Sequence, residues 1–340
     1  MRTRLLRLAP TALGLAVLVG IVNWLQRTVD FAAVGVAMSQ ARRGPLLLML
    51  ALTVLFGFLR ALRLHVVLQS DGSYLRTYHV SNLGLLVNCL LPLRSGEMCM
   101  ALLLGDRLPG GRSEALSRLF VDRLLDAITV FALFAATVPL LGDRSPVALN
   151  PERALSLGGA AVAAAIAAVW IACASEGLLV RSVGALARAV GQPDAPWKAR
   201  ASNVLNGLRA LFHVRMILVA AGLSLAVWGI HVMALFAGMS ALFPQPDLSW
   251  AMLGVVLTVL GLAVAPMPAG IGTTHGAIVL ALGVFGVAPA QALAFAILYH
   301  AACTTLWVLL GMLGLWSLNI RLTTLLQGIG KFRATGSRPS

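Results

Sequence analysis

Long stretches of apolar residues without any charge dominate the chain and predict membrane-spanning helices. Residues 8–26, 154–175 and 216–246 contain no Asp, Glu, Lys or Arg, and residues 248–320 contain none either. A spanning helix needs about 20 apolar residues, so each stretch is long enough to cross a bilayer. The apolar positions do not alternate with polar ones as the strands of a membrane barrel require. The pattern therefore predicts an all-α polytopic membrane protein.

The same pattern divides the chain into six full spans and two interrupted pairs of shorter helices. Proline and glycine break each pair, and a piece of about 15 residues is too short to cross comfortably. Each pair is therefore expected either as a re-entrant segment or as two short spans. The predicted full spans are 8–26, 45–66, 116–141, 155–180, 216–243 and 290–318, and the predicted pairs are 77–91 with 97–105 and 250–265 with 274–287.

Composition agrees with a membrane protein and limits its partners. Only 11% of the residues are charged and 59% are hydrophobic, whereas about a quarter of a soluble domain is charged. The net charge of +14 arises because Lys and Arg collect at helix ends, as the positive-inside rule and anionic headgroups require. The sequence contains no basic soluble domain to bind nucleic acid. The partner expected from composition is membrane lipid.

Loop charges predict the topology. The segment 181–215 is rich in Lys and Arg, with Asp194 as its only acid, so it is expected in the cytoplasm. The loop 244–249 has no basic residue and is expected outside. Six full spans then place both termini in the cytoplasm, as the basic residues at both ends of the chain also indicate. One loop, 27–44, would be external although it contains three arginines, Arg27, Arg42 and Arg43.

This topology makes the two interrupted pairs enter the membrane from opposite sides. That is the layout of an inverted repeat, in which substrate sites lie where broken helices meet near the midplane. The matched Pro/Gly interruptions in the two halves are the sequence evidence for it. We therefore expect one membrane domain, 1–340, with halves of roughly 1–190 and 191–340.

The first segment with candidate chemistry runs from Asn88 to Glu97. Pro92 and Gly96 break the helix here and free backbone groups. Arg94 offers an always-charged fork suited to a phosphate, and Glu97 lies in the first turn of the next helix. Charged groups at membrane depth usually mark a pathway or a partner. Two interpretations stay open: a lipid site that includes Asn88, Arg94 and Glu97, or a structural Arg94–Glu97 pair.

The second candidate segment runs from Pro266 to His275 and contains two prolines followed by two glycines. Free amides at the start of the helix that follows are suited to an anionic headgroup. A purely structural kink is the alternative, and His275 is either titratable or a hydrogen-bonded structural residue. The candidate binding residues are Gly270, Gly272, Thr273, Thr274 and His275.

The third candidate is an ion network at the start of the span 116–141. Asp122 and Asp126 share one helical face, and Arg118 lies one turn before Asp122. Together with Arg123, these residues are expected to form a helix-end network, and general acid/base work or proton coupling by the two carboxylates is the alternative.

No catalytic residue, cofactor or metal is expected. The chain contains no Walker loop and no nucleophile elbow. Its cysteines and remaining membrane histidines lie in apolar surroundings without metal-ligand or disulfide spacing: Cys89, Cys99, Cys173, Cys303, His79, His231 and His300.

At these residues the chain resembles the membrane region of lysylphosphatidylglycerol synthases, the flippase-like family. The resemblance rests on an N-x-x-L-P-x-R-x-G-E segment at 88–97, an acidic-R-x-x-D helix start at 122–126 and a P-x-G-x-G segment at 268–272; the arginine-rich end of the second span, Arg60-Ala61-Leu62-Arg63, also fits. The chain departs from the family pattern at Met100, where many members carry a basic residue, and at His275, where glutamate is frequent.

The resemblance implies lipid translocation or handling. The chain stops about twenty residues after the last predicted span, so the soluble aminoacyl-transferase domain of the synthases is not expected. We therefore expect a flippase-like protein of the bacterial inner membrane that moves a polar-headed lipid, acting as a transporter and not as an enzyme. The alternative is a non-catalytic accessory subunit of a lipid-modifying or glycosyl-transferring enzyme, with a lipid-synthesis enzyme as partner.

Overall fold

The computed structural model describes residues 31–69, 72–91, 95–141, 151–209, 213–265 and 267–337. These residues form thirteen α-helices and two short 3₁₀ turns, and no strand occurs among them. The predicted span 8–26 lies outside the described residues. The helices are α1 Phe31–Ser39, α2 Arg43–Leu68, α3 Tyr74–Leu90, α4 Ser95–Leu104, α5 Gly111–Leu141, α6 Pro151–Ala174, α7 Glu176–Ala189, α8 Asp194–Leu208, α9 Val214–Leu242, α10 Leu248–Val264, α11 Thr273–Val284, α12 Pro289–Ser317 and α13 Leu322–Ser337.

Four of these helices are long and apolar enough to cross a membrane: α2, α5, α9 and α12. They confirm the predicted spans 45–66, 116–141, 216–243 and 290–318. A fifth crossing is possible by length and composition if α6 and α7 together count as one span.

The predicted span 155–180 is not one straight helix, because the chain bends by 83° between α6 and α7. At the bend the hydroxyl of Ser175 donates to the carbonyl of Ile171. Glu176 then opens α7, and Arg181 and Arg188 follow along that helix. Charged side chains are costly in hydrocarbon, so the chain turns where its uncharged stretch ends.

The two interrupted pairs occur as predicted, as α3 with α4 and as α10 with α11. Polar caps fix where the first helix of each pair begins. The Ser73 hydroxyl accepts a hydrogen bond from the amide of Arg76 (3.3 Å) at the start of α3. The Asp247 carboxylate accepts one from the amide of Ser249 (2.8 Å) at the start of α10. Both caps satisfy amides that have no partner within the helix.

Packing between the two halves of the chain is reciprocal. A span, an interrupted pair and a second span follow one another as α2, α3–α4 and α5, and again as α9, α10–α11 and α12. Helix α2 packs along α9, α3 packs on α12, and α10 packs on α5. This order supports the predicted repeat, while its inverted orientation and the division into halves stay predictions.

Small residues allow the closest of these contacts. On α12, a Cβ added at Gly311 would lie 2.5 Å from the Cβ of Leu86 on α3, and one at Gly314 would lie 2.9 Å from the carbonyl oxygen of His79. Glycine at such positions lets two helix backbones approach, as is common between membrane helices. The largest apolar cluster forms beside them, from buried side chains of α2, α9, α10, α11 and α12 that include Met49, Leu235, Ile278 and Phe295.

Four helices lie where the sequence predicts loops or tails. Helix α1 occupies part of the predicted external loop 27–44, α7 and α8 occupy the basic segment 181–215, and α13 follows the last span. These helices lack the long uncharged run by which spans are recognised.

Candidate functional site

A cavity of about 310 Å³ lies between the two halves, and both interrupted segments line it. Asn88, Cys89, Leu91 and Glu97 come from the first segment. The second segment contributes Met267, Ala269, Gly270 and Thr274, and α2, α5, α9, α10 and α12 complete the wall. The sequence prediction that the broken helices meet at one place is thus matched by the arrangement of the wall.

Two arginines and two aspartates form a closed ring of ion pairs at one side of this cavity. Arg63 binds Asp122 through Nε (2.8 Å) and Asp126 through Nη1 (2.7 Å). Arg123 binds the other oxygens of the same carboxylates, Asp122 at 2.7 Å and Asp126 at 2.9 Å. The side chains of Arg63 and Asp122 are fully buried. The four formal charges sum to zero, so none is left uncompensated within the ring.

The ring joins three membrane spans. Asp122 and Asp126 lie on α5 at i, i+4 spacing and therefore on one face, and Arg63 reaches them from α2. From α9, the Ser224 hydroxyl accepts a hydrogen bond from Arg63 (3.1 Å), and the Trp228 indole donates to Asp126 (3.1 Å). Burial of ions is costly unless the charges are paired. Each of the four ions has two partners of opposite charge, while Nε of Arg123 is a buried donor without a hydrogen-bond partner among the described residues.

Arg118 does not belong to this ring, which corrects the predicted network. Its guanidinium pairs with Glu114 one turn earlier (2.7 Å). It also donates to the carbonyl oxygens of Val67 (3.1 Å) and Leu68 (2.5 Å) at the end of α2. A cation at these terminal carbonyls is favourable because they carry the negative end of the helix dipole. Arg118 therefore caps α2, and its predicted place in the network is taken by Arg63.

Arg60 lines the cavity one turn before Arg63 on α2. No described residue lies within ion-pair or hydrogen-bond distance of its guanidinium, although the ring of ion pairs is close by. The sequence interpretation did not select Arg60 as a site residue. Its i, i+3 spacing to Arg63 is the signal that could have placed both on one face.

Glu97 lies in the first turn of α4 and also lines the cavity. Its Oε2 is buried and has no hydrogen-bond partner among the described residues. Arg94, the predicted partner of Glu97 or of a phosphate, lies outside the described residues, as does Pro92. The choice between an Arg94–Glu97 pair and a lipid contact therefore stays a prediction.

Asn88 has a structural contact besides its place in the cavity wall. Its side-chain oxygen accepts a hydrogen bond from the amide of Gly96 (2.7 Å) and so caps the start of α4. A Cβ added at Gly96 would lie 2.1 Å from the carbonyl oxygen of Gly84 and 2.8 Å from the Asn88 side chain. Only glycine fits at this position, where α4 turns back against α3.

The second segment forms a tight turn in which three of four successive residues have left-handed backbone angles. Ala269, Gly270 and Gly272 have positive φ angles of 52°, 72° and 78°. The amide of Gly270 donates to the carbonyl of Met267 (2.9 Å), and that of Gly272 donates to Nδ1 of His275 (3.2 Å). These two amides are therefore engaged within the turn, whereas the prediction of free amides at the start of α11, from Thr273 onward, stays a prediction.

Histidines and threonines hold this turn in place. The His300 ring bonds the carbonyl of Ala269 (2.8 Å) and contacts the His275 ring, with centroids 4.7 Å apart. The Thr273 hydroxyl donates to the carbonyl of Ala265 (3.2 Å). Of the predicted binding residues in this segment, Gly270 and Thr274 line the cavity, whereas Gly272, Thr273 and His275 support the turn behind it.

The remaining wall of the cavity is largely apolar and aromatic. Phe56 contacts the rings of His231 and Trp307, with centroids 4.8 and 6.0 Å apart, and Trp228 contacts His231 at 5.7 Å. A concave apolar site with a few convergent polar groups is typical of a ligand pocket. The combination of aromatic wall and charged groups is suited to a molecule with an apolar and a polar part.

A family model described as the lysylphosphatidylglycerol synthase TM region matches residues 11–311. The chain belongs to this family. No curated protein and no solved structure matches it. As a member of the lysylphosphatidylglycerol synthase TM family, the chain is a membrane protein of a lipid-related family, and the matched region contains every residue that lines the cavity.

Proposed function

We propose that this protein translocates a polar-headed lipid between the leaflets of a bacterial inner membrane, with the headgroup passing through the cavity between the two halves. One observation carries the proposal: the cavity presents two polar groups inside an apolar and aromatic wall. They are the guanidinium of Arg60, which has no ion pair or hydrogen bond among the described residues, and Oε2 of Glu97, which is buried without a hydrogen-bond partner there. An ionisable group at membrane depth is costly and usually belongs to a transport pathway.

The charged groups indicate how a headgroup would bind. An anionic headgroup oxygen would be paired by Arg60, and a hydrogen-bond donor or ammonium group would be paired by the buried oxygen of Glu97. The acyl chains would remain in the apolar surroundings. The Arg60 guanidinium and the buried Glu97 oxygen thus favour a headgroup that carries both kinds of polar group.

The ion pairing of the two ring aspartates favours transport over catalysis. Asp122 and Asp126 are the carboxylates considered for acid/base work, and each is held by two arginines. All four carboxylate oxygens are therefore occupied by ion pairs within the ring. The ring is therefore assigned to holding α2, α5 and α9 together around the path.

The test is lipid exchange in proteoliposomes that contain fluorescent lipids with anionic, zwitterionic or sugar headgroups. Wild-type protein is expected to speed the access of dithionite to the inner-leaflet lipid. Arg60→Gln should slow exchange of the preferred lipid about tenfold or more, since a charge-assisted hydrogen bond contributes about 1.5–3 kcal/mol. Arg60→Lys keeps the charge and should retain part of the rate, and Glu97→Gln should also slow exchange.

Arg43→Gln is the matched control, because Arg43 is an exposed arginine at the start of the same helix and does not line the cavity. It should behave like wild type. If no lipid exchanges faster with wild-type protein than without it, translocation is wrong. Co-purification with a lipid-modifying enzyme would then favour the accessory role.

A further inference from the structure

Helix α7 (Glu176–Ala189) has a direction and surface unlike those of the spans. It follows α6 after a bend of 83°, and α6 carries no charged residue from 154 onward. If α6 runs through the bilayer, α7 lies nearly in the membrane plane. A helix in that position meets lipid on one side and water on the other.

The side chains of α7 separate into faces that fit this position. Gly184 and Ala187 are buried, and Gly184 lies against the side chain of Lys198 on α8. Leu178 and Leu186 on α7 and Val190 directly after it are 70%, 67% and 65% exposed. At 3.6 residues per turn these three fall within an arc of about 120° on the outer side. A contiguous exposed apolar face of this kind requires a partner.

Charge identifies the partner. From Glu176 to Arg209 the chain has five basic residues, and both of its acids are already paired: Asp194 with Arg188 and Lys198, and Glu176 with Arg209. Two cations remain without an ion pair among the described residues, Arg181 and Arg200, the second of which stacks on Trp197. Arg181 flanks the apolar face, so the surface combines exposed apolar side chains with positive charge that has no ion pair.

We propose that α7 is a membrane-surface anchor for anionic lipid. Leu178, Leu186 and Val190 insert into the boundary between headgroups and acyl chains, and Arg181 and Arg200 bind anionic headgroups. Helix α8 packs against both α7 and α5, the helix that carries Asp122 and Asp126. The anchor thus fixes the start of α5 relative to the membrane surface, independently of what passes through the cavity.

The test places an environment-sensitive fluorophore on single cysteines in full-length protein reconstituted in nanodiscs. The native cysteines Cys89, Cys99, Cys173 and Cys303 are first replaced by alanine. Leu186→Cys carries the probe on the apolar face, and Gly177→Cys is the control about 180° away on the same helix. A Cβ at Gly177 meets no atom within 4 Å, so the control substitution is compatible with the fold.

In phosphatidylcholine with phosphatidylglycerol, spin-labelled lipid should quench the probe at 186 and not the probe at 177. The pair Arg181→Glu and Arg200→Glu should reduce quenching at 186 by about half or more in these nanodiscs, with little effect in phosphatidylcholine alone. Equal exposure of both probes to water overturns the anchor. Quenching that is independent of lipid charge overturns the assignment to anionic lipid. Disulfide-linked dimers of the Leu186→Cys variant before the probe is attached identify a second copy as the occupant instead.

A measurement on the unmodified protein covers the case in which the cysteine-free variant does not fold. Hydrogen exchange of the amides of α7 should be slower in nanodiscs with phosphatidylglycerol than in phosphatidylcholine alone, because docking on the anionic surface protects them. The same rate in both lipids overturns the proposal.

Discussion

At the residue scale, the ring of Arg63, Asp122, Arg123 and Asp126 offsets the cost of burying its own charges. Each ion has lost its hydration, which costs several kcal/mol in a protein interior. Two partners for each ion, together with Ser224 and Trp228, replace that hydration. Removal of a single member leaves a buried charge uncompensated, so the ring acts as one unit.

Asp122→Asn should lower the free energy of unfolding by about 3–5 kcal/mol, because Arg63 and Arg123 then share one carboxylate in a buried site. The measurement is the thermal unfolding midpoint of the detergent-solubilised protein. The fraction of protein that elutes from a size-exclusion column as a single species is a second measurement.

Asp194→Asn is the matched control for this prediction. The Asp194 carboxylate also forms two ion pairs, with Arg188 and Lys198, but all three side chains are partly exposed to solvent. Exposed ion pairs contribute little to stability. Its midpoint should stay close to that of wild type. Equal losses in the two variants would contradict the view that burial makes the ring essential.

At the scale of elements, the interrupted pair α3–α4 depends on contact between backbones. The Asn88 side chain caps α4, and Gly96 lies against the carbonyl of Gly84 without room for a Cβ. Proline and glycine were predicted to break the helix; the structure adds that the glycine is required where the second piece returns along the first.

Gly96→Ala should destabilise the protein by about 1–3 kcal/mol or more, the range for overpacking a filled site. A Cβ would otherwise lie 2.1 Å from the Gly84 oxygen. Gly222→Ala on α9 is the control, since a Cβ there meets no atom within 4 Å and alanine favours a helix. Thermal midpoints of both variants check the prediction, and a midpoint for Gly96→Ala at or above that of Gly222→Ala would rule it out.

At the scale of the whole molecule, the helix ends are grouped as the predicted topology requires. The amide of Arg42, before α2, donates to the carbonyl of Ala241 at the end of α9 (2.9 Å). On the other side, Gly110 before α5 lies against Asn203 on α8, where an added Cβ would be 2.9 Å from the Asn203 Cβ. Loops predicted to be external therefore lie together, and so do loops predicted to be cytoplasmic.

Cysteine labelling tests the absolute orientation. Gln245→Cys should react with a membrane-impermeant maleimide in intact cells, whereas Ala199→Cys and Asp106→Cys should react only after permeabilisation, because basic segments stay in the cytoplasm. All three positions are exposed. Labelling of positions 106 and 199 in intact cells, with position 245 protected, would reverse the orientation.

Local pattern explains which features of the fold and site could be predicted from the sequence. Asp122 and Asp126 share a face because helical spacing puts them there, and Pro92 with Gly96 marks a break for reasons of backbone chemistry. The partners of these residues could not be predicted. Arg63 lies 59 positions from Asp122, and Trp228 lies 102 positions from Asp126, so no local spacing relates them.

By itself, the sequence determined the membrane class, most of the described spans, the two interrupted pairs and the residues of the family resemblance, because apolar runs, prolines and glycines act locally. Tertiary structure alone decided that Arg63 and not Arg118 completes the ion ring, that the amides of Gly270 and Gly272 are engaged, and that Arg60 and Glu97 face one cavity. The physical reason is that a buried charge or amide finds its partner on whichever helix packs beside it. That helix is distant in sequence, and packing between the two halves brings it there.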